Sequence, residues 1–377
     1  MNGSRKTGRG TTNGRQRVRL SKEKMRETAV AWLMIAPAAL GLIVFLAVPF
    51  FMAFQLSLTD TRLLSPNPPR LVGLDNYRQL LRVNVISMEP LRDAVTGEVQ
   101  RDEEGRVLYP RARTILRSDD KYEGMSELAQ FDLFGRHYLV AAGDPTFWRG
   151  LLNNFYFAAV VVPLQTTFAL LLAILVNQRI KGVNLFRTFY FMPVVVPMVV
   201  VAVVWFFLYN PGVGTINAFL KAISFGRLGP QAWLSDPRLA FPSIMLLSIW
   251  QGVGFQMVIF LAGLQEIPGE LYEAAEVDGC SRVQRFIFIT LPQLRNTTIF
   301  VVVATTILAF QLFTQVQVMT GGGPSEATMT TILHAVREGR YQLRAGYASA
   351  ITVVFFLIVL AVSIVQRAVI REERAIG

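Results

Sequence analysis

The stretch EIPGELYEAAEVDGCSRVQRFIFITLP, Glu266–Pro292, is a polar island between two membrane-length apolar runs, about Ala240–Leu264 and Thr297–Met319. Pro268 stops the run before it, because helix is disfavoured at the residue preceding a proline while proline suits the start of the next helix. Good helix formers then fill Gly269–Asp278, with Leu271, Ala274, Ala275 and Val277 supplying apolar contacts. Gly279 breaks that helix at little steric cost. Ser281 and Gln284 have the spacing of a capping box for a second helix running to Ile289, which Pro292 is expected to end. Two short helices with a glycine bend make a rigid knob at a membrane surface. A generic surface helix would be rich in Lys and Arg. This one carries Glu266, Glu270, Glu273, Glu276 and Asp278, which suits a basic protein partner better than anionic lipid.

Outward from the knob, the chain is membrane-like. It has 377 residues, 52% of them hydrophobic, and a mean hydropathy of +0.41, too apolar for an ordinary soluble domain. A spanning helix needs roughly 20 mostly apolar residues. Six runs qualify without an internal Lys, Arg, Asp or Glu: about 29–58, 154–176, 188–208, 240–264, 297–319 and 346–365. The third holds thirteen Val, Phe or Leu residues between Phe189 and Leu208. That is about −4 to −8 kcal/mol of gross insertion free energy, ample even with Pro193 and Pro197 present. The runs are continuous rather than alternating and twice a barrel strand's length, so helices are predicted. Pro37, Pro49, Pro163, Pro193, Pro197 and Pro242 suggest kinks around a pathway, although proline is also simply commoner in membrane helices.

The net charge of +11 is explained by placement rather than by nucleic acid. Nine Lys or Arg residues precede the first run, which puts the N-terminus in the cytoplasm. The tail 1–28 is Gly- and Thr-rich and reads as disordered. The first run is too long for a cleaved signal peptide. Six spans return the tail 371–377 to the cytoplasm, and Arg179, Lys181 and Arg187 mark another cytoplasmic loop. Cys280 is the sole cysteine, so no intrachain disulfide forms. His137 and His334 lack metal-site spacing and are expected at the surface.

The spacing Glu273-Ala274-Ala275, then Asp278-Gly279, then Ile289-Thr290-Leu291-Pro292 resembles the cytoplasmic loop by which permease subunits of bacterial ABC importers dock on their ATPase. The turn Gly321-Gly322-Gly323-Pro324 and the segment Gly73-Leu74-Asp75-Asn76-Tyr77 are similar to the sugar-type permeases, in particular the first permease of maltose and glycerol-phosphate importers. The likeness covers most of residues 29–77 and 144–370. It implies an all-α polytopic membrane protein of six transmembrane helices with the type I importer permease fold, both termini cytoplasmic, in the cytoplasmic membrane. It also implies that Glu273 anchors the loop on a basic residue of the ATPase and that Gly279 is its turn, over a coupling loop spanning 265–295. The implied partners are a second, similar permease, two copies of an ATPase, an extracytoplasmic solute-binding protein, a carbohydrate and membrane lipid. No Gly-x-x-x-x-Gly-Lys-Ser/Thr motif occurs, so ATP hydrolysis is expected in another subunit; the chain is read as no enzyme, with no cofactor and no metal.

In such permeases the Gly-Leu-x-Asn-Tyr segment runs quickly into an Asp-Pro-x-Phe-Trp segment, which here appears only at Asp144-Pro145-Thr146-Phe147-Trp148. Residues 83–143 of the 59–153 loop are therefore an insert, read as a small extracytoplasmic subdomain. Turns are predicted at Thr96-Gly97 and Glu103-Glu104-Gly105, and strand-like pieces such as Arg106–Tyr109. Docking of the binding protein and plain surface elaboration both fit it. In the loop 209–239, a turn at 210–214 should lead into a short amphipathic helix near 216–223.

The spans carry no charge, which argues against an ion pathway, yet they hold amides and hydroxyls. These beside aromatics suit a neutral polyol, though hydrogen bonds between helices use the same groups. By the resemblance, sugar contacts fall on Ser248, Gln251, Gly252 and Phe255 in span four and on Thr305 beyond the coupling loop. Ala309 and Leu312 stand where the maltose-type member has amides, and Gln311 or Gln315 can substitute. The expected cargo is an oligosaccharide or α-glucoside. The alternatives are an importer for glycerol phosphate or another polyol derivative, and a secondary transporter working alone.

Overall fold

The computed structural model describes residues 22–93, 97–178 and 181–369. The tail 371–377, residues 1–21 of the basic tail, Arg179 and the Thr96 half of one turn lie outside the described residues. The chain divides into two units after Met52. The first contains helix α1, Lys22–Leu42, and a wide π-turn at Ile43–Ala47, beyond which α2, Val48–Ser57, carries the chain onward. Arg26–Ser57 as a whole is long and apolar enough to cross a membrane.

The second unit opens on α3, Asp75–Leu81, whose residues explain the Gly-Leu-Asp-Asn-Tyr segment. Asn76 Nδ2 donates to the carbonyls of Ser57 and Thr59, and the Tyr77 hydroxyl lies 2.5 Å from Ser57 Oγ, so α3 caps the end of α2.

The insert follows as β1 (Val83–Met88), α4 (Ala112–Ser118), β2 (Ser126–Leu133) and β3 (Arg136–Ala142). Its sheet is antiparallel in the order β1-β3-β2. Val83 pairs with Ala142, and the Gly143 N–H bonds the Arg82 carbonyl, so the subdomain leaves the core where it came in. It has a small core of its own around Met88, Leu116, Met125 and Leu139. The tight hairpin turn is Phe134-Gly135, both at positive φ. Arg106–Tyr109 forms no strand; Val107 makes one isolated bridge with Arg101.

The core consists of α5 (Pro145–Val176), α6 (Val183–Val195), α7 (Met198–Leu208), α8 (Thr215–Ile223), α9 (Ala240–Gln265) and α10 (Gly269–Val277), then α11 (Arg282–Arg285), α12 (Leu291–Gln293), α13 (Arg295–Phe310), α14 (Thr314–Met319), α15 (Thr331–Val336) and α16 (Ala345–Val369). Helix α8 is the amphipathic helix expected in the 209–239 loop. Five helical stretches are long and apolar enough to span a membrane, and α6 with α7 makes a sixth, bent by 98°. The third apolar run is thus not one straight helix. Pro197 forces Val196 to extended backbone (φ −79, ψ 130), and the helix restarts after it. Pro37 and Pro163, by contrast, lie inside helices that continue past them.

Tight packing sets where α6 lies. A Cβ on Gly254 would sit 2.0 Å from the Tyr190 carbonyl oxygen, so only glycine lets α6 approach α9 this closely. The second correction concerns Pro292, which does not end its helix. A π-turn at Phe286–Thr290 precedes it and the chain continues through α12 and Leu294 into α13. The wide turn lets a residue without an N–H be accommodated inside a helical path.

Candidate functional site

Six helices, α5, α6, α7, α9, α13 and α14, line a cavity of about 510 Å³ in the second unit. Helix α9 contributes Ser248, Gln251, Gly252 and Phe255; α13 contributes Thr305; Gln311 and Gln315 come from the break after α13 and from α14. All seven positions singled out in sequence as substrate path therefore line one space. Ala309 lines it too, whereas Leu312 is packed into the core. The volume lies in the ordinary range for small-molecule sites. No Lys, Arg, Asp or Glu lines it.

Several of the polar groups are held from behind. Gln251 Nε2 donates to the Val196 carbonyl at 3.3 Å, an acceptor freed by the Pro197 break. Gln315 Nε2 donates to Ser248 Oγ at 3.3 Å, and that hydroxyl donates to the Ile244 carbonyl. Thr305 accepts from Gln256 Nε2 and donates to the Val301 carbonyl. Spare capacity remains: Gln256 Oε1 is buried with no partner among the described residues. A buried acceptor in that condition asks for a donor from water or a ligand.

Gln165 and Gln256, two of the span amides that suit a polyol, also line the cavity, although the resemblance does not point to them as contacts. The signal for Gln165 lies at Gly252, where a Cβ would fall 2.0 Å from Gln165 Nε2. The glycine makes room for an amide from a helix nearly ninety residues away in sequence, and no local pattern announces that.

The second candidate site is the polar island. Helix α10 and α11 meet at Gly279 (φ +77), and the capping box of Ser281 and Gln284 is formed in both directions. The Tyr272 hydroxyl lies 2.9 Å from Thr290 Oγ1 and Arg285 pairs with Glu276 at 3.0 Å, which tie the two arms together. Glu273, Ala274, Asp278, Gly279, Leu291 and Pro292 are exposed, Ile289 is half-buried and Ala275 is buried against the knob. Glu273 has no partner among the described residues. Beside it Val277 is 89% exposed, an apolar tip on an acidic helix.

A third cluster was not foreseen. His334, expected at the surface, is 6% exposed. Its Nε2 lies 2.7 Å from Asp144 Oδ2, and the Tyr347 hydroxyl donates to the same oxygen at 2.7 Å. Asp144 Oδ1 accepts from the Phe147 N–H, capping α5. Burial alone would raise the Asp144 carboxyl, but His334, Tyr347 and the Phe147 N–H outweigh it and hold the group below its ordinary range. Nearby, Asn154 Nδ2 donates to the Phe310 carbonyl and its Oδ1 accepts from the Thr331 N–H, while Arg149 pairs with Glu326 at 3.0 Å. The starts of α5, α15 and α16 are thereby joined at the insert end. Partners up to 203 residues apart leave no trace in local sequence. No cluster of His, Cys, Asp or Glu among the described residues could hold a metal.

With this geometry in view, comparisons with known proteins agree in kind. Residues 165–374 match the family described as "Binding-protein-dependent transport system inner membrane component". The trehalose/maltose transport system permease protein MalF of Thermococcus litoralis is 36% identical over 63% of this chain and 80% of its own length. The lactose transport system permease protein LacF of Rhizobium radiobacter is 34% identical over 71% of this chain and 90% of its own. A probable ABC transporter permease protein of Bacillus subtilis, YesP, is 28% identical and covers 94% of both chains. Among solved structures, a chain of a bacterial ABC transporter involved in the import of the acidic polysaccharide alginate superposes with a TM-score of 0.64, covering 93% of this chain and 97% of its own at 17% identity, a likeness of fold.

Proposed function

Since the chain belongs to the binding-protein-dependent transport system inner membrane components, we propose that it is the permease subunit of an ATP-driven importer that carries a carbohydrate through the 510 Å³ cavity. It is a multi-pass inner-membrane protein and not an enzyme; ATP is hydrolysed by a separate subunit. A solute-binding protein delivers the cargo. The finer assembly we infer is one second permease of similar kind, two ATPase copies and an extracytoplasmic binding protein, with both termini of this chain in the cytoplasm.

One observation carries the choice of cargo. Amides and hydroxyls from several helices face one space without a charged side chain, beside Phe255. That lining offers hydrogen bonds to hydroxyls and a ring face to C–H surfaces, the two features of a sugar. A phosphate would require a cation that this cavity does not supply, so glycerol phosphate is the poorer fit. The lactose and trehalose/maltose systems named for two relatives support the same choice.

Coupling follows from the loop. Closure of the ATPase dimer would push the knob bearing Glu273, and the helices tied to it would tilt until the cavity faces the other side. The stored rigidity of the Tyr272–Thr290 and Arg285–Glu276 links makes the loop a lever rather than a hinge.

The test is affinity purification of the tagged chain from mild detergent, followed by uptake of labelled disaccharide and of labelled glycerol phosphate in liposomes. Recovery of a second permease with an ATPase, and ATP-dependent disaccharide uptake once binding protein is supplied, is expected. Recovery of the chain alone, moving solute without ATP, would overturn the reading in favour of a stand-alone transporter.

A further inference from the structure

A second cavity, of about 300 Å³, lies under the polar island, between the last turns of α5 and α9 and the arms of the loop. Its lining divides by chemistry. Asn177, Gln178, Arg282 and Arg285 offer N–H donors, while Ile174, Leu264 and Phe286 are apolar. No acidic side chain lines it, although α10 carries Glu270, Glu273 and Glu276 and is followed by Asp278. Arg285 is shared with Glu276, but Arg282 has no ion pair or hydrogen bond among the described residues. The C-terminal end of α5 would by its dipole repel an anion here. That end is covered: Arg187 donates to the Val176 carbonyl at 3.0 Å.

We propose that this cavity holds the headgroup of an anionic phospholipid. Its position fits the ligand. It sits where two membrane-length helices end, which is the depth of a headgroup, and its donors lie beside apolar side chains that would meet the start of an acyl chain. A guanidinium with amide donors is the usual partner of a phosphodiester, and basic pockets between helices on the cytoplasmic side bind such lipids. A free anion would use Arg282 and the amides but would have no use for Ile174, Leu264 and Phe286. The lipid would wedge between the fixed end of α5 and the moving loop, so its presence would tune how the loop responds to its partner. Only the leaflet, cytoplasmic, rests on the function proposed above; the binding itself does not.

The experiment is native mass spectrometry of the purified full chain in mild detergent, resupplied with phosphatidylglycerol or phosphatidylcholine at equal concentration. Selective retention of one phosphatidylglycerol is expected, with Arg282→Gln lowering it about fivefold, as one surface arginine's worth of attraction predicts, and Arg282→Lys keeping most of it. Arg282 is exposed, so both variants should fold, and an unchanged melting temperature checks this. Equal retention of the two lipids, or no change in Arg282→Gln, overturns the proposal. Displacement of the lipid by millimolar inorganic phosphate would assign a free-anion site instead. Loss of the ATPase from Arg282→Gln with lipid retention unchanged would make Arg282 a protein contact. Uptake does not enter the lipid readings, so failure of the transport proposal would leave those intact.

Discussion

At the insert end of the helical unit, Asp144, His334 and Tyr347 are all less than a tenth exposed, and the Asp144 carboxylate is bonded to the other two and to the Phe147 N–H. At the other end Glu273 stands in solvent with no partner among the described residues, on a helix whose apolar tip, Val277, is bare. In the first region these three side chains satisfy one another, as buried groups must. The second leaves polar and apolar groups alike for another molecule. The difference separates what holds the fold from what the fold presents. The cavity is intermediate: Ser248, Gln251, Thr305 and Gln315 are each bonded to a neighbour, while Gln256 keeps a buried oxygen without a partner among the described residues.

That contrast predicts opposite responses to removing a carboxylate. Asp144→Ala would strand His334 and the Tyr347 hydroxyl in a buried site and should cost about 3–5 kcal/mol of stability, read as a large fall in melting temperature or a failure to accumulate. Glu273→Ala should leave the melting temperature where it is, since an exposed unpaired group contributes within about 0.5 kcal/mol. Its effect should fall on function, with the ATPase lost from the purified complex and ATP-driven uptake down by tenfold or more, about 1.4 kcal/mol of coupling. If Glu273→Ala unfolded the protein while Asp144→Ala did not, the contrast between the two ends would be wrong.

The loop end was legible in sequence because its determinants are local. Pro268, Gly279, the Ser281–Gln284 box and the acidic run lie within about twenty residues, and each acts on its neighbours. Even there Pro292 does not act as a stop, because a π-turn upstream takes it into a continuing helical path. Five cavity residues follow from the resemblance, with Gln311 and Gln315 as substitutes, and the structure brings all seven together; yet Gln165 and Gly252, a donor and the gap that admits it, form a pair visible only in three dimensions. The hub was illegible. His334 has no partner nearby in sequence: it meets Asp144, 190 residues away, and Tyr347 reaches the same carboxylate from 203 residues away. The bend between α6 and α7 was marked by Pro197, but a continuous apolar run outweighed it.

Smaller effects sharpen the intermediate case. Gly252→Ala places a Cβ against the Gln165 amide, a flexible end that can move, so about 1–3 kcal/mol of overpacking is expected. Uptake should fall more than stability does, because Gln165 would be pushed into the space for cargo; an unchanged uptake rate would exclude Gln165 and Gly252 from the path. The hub also has a pH signature. Asp144 titrates below the ordinary carboxylate value, so its contribution is fully present above about pH 4 and is lost as pH falls through its folded value. Melting temperature compared with Asp144→Asn should therefore converge only below about pH 4, with no change in the gap from this carboxyl between about pH 5 and 8; convergence near neutrality would mean that another group governs the hub.

The smallest expected effect is the most discriminating for the cavity. Gln251 donates one bond to the Val196 carbonyl and also lines the cavity. Gln251→Ala should cost about 1 kcal/mol of stability, the worth of that single bond. If the side chain serves only to satisfy the broken helix, uptake at saturating sugar should be unchanged once protein amounts are matched. If it also meets the cargo, as the proposed path requires, the transport rate should fall several-fold beyond the stability loss, and Gln251→Glu, which keeps the size but replaces the donor that reaches Val196, should lose both. Matched stability with normal uptake in Gln251→Ala would move the polyol contacts to Gln256 and Gln315, leaving Gln251 with the role of a buried strut, like the residues of the hub.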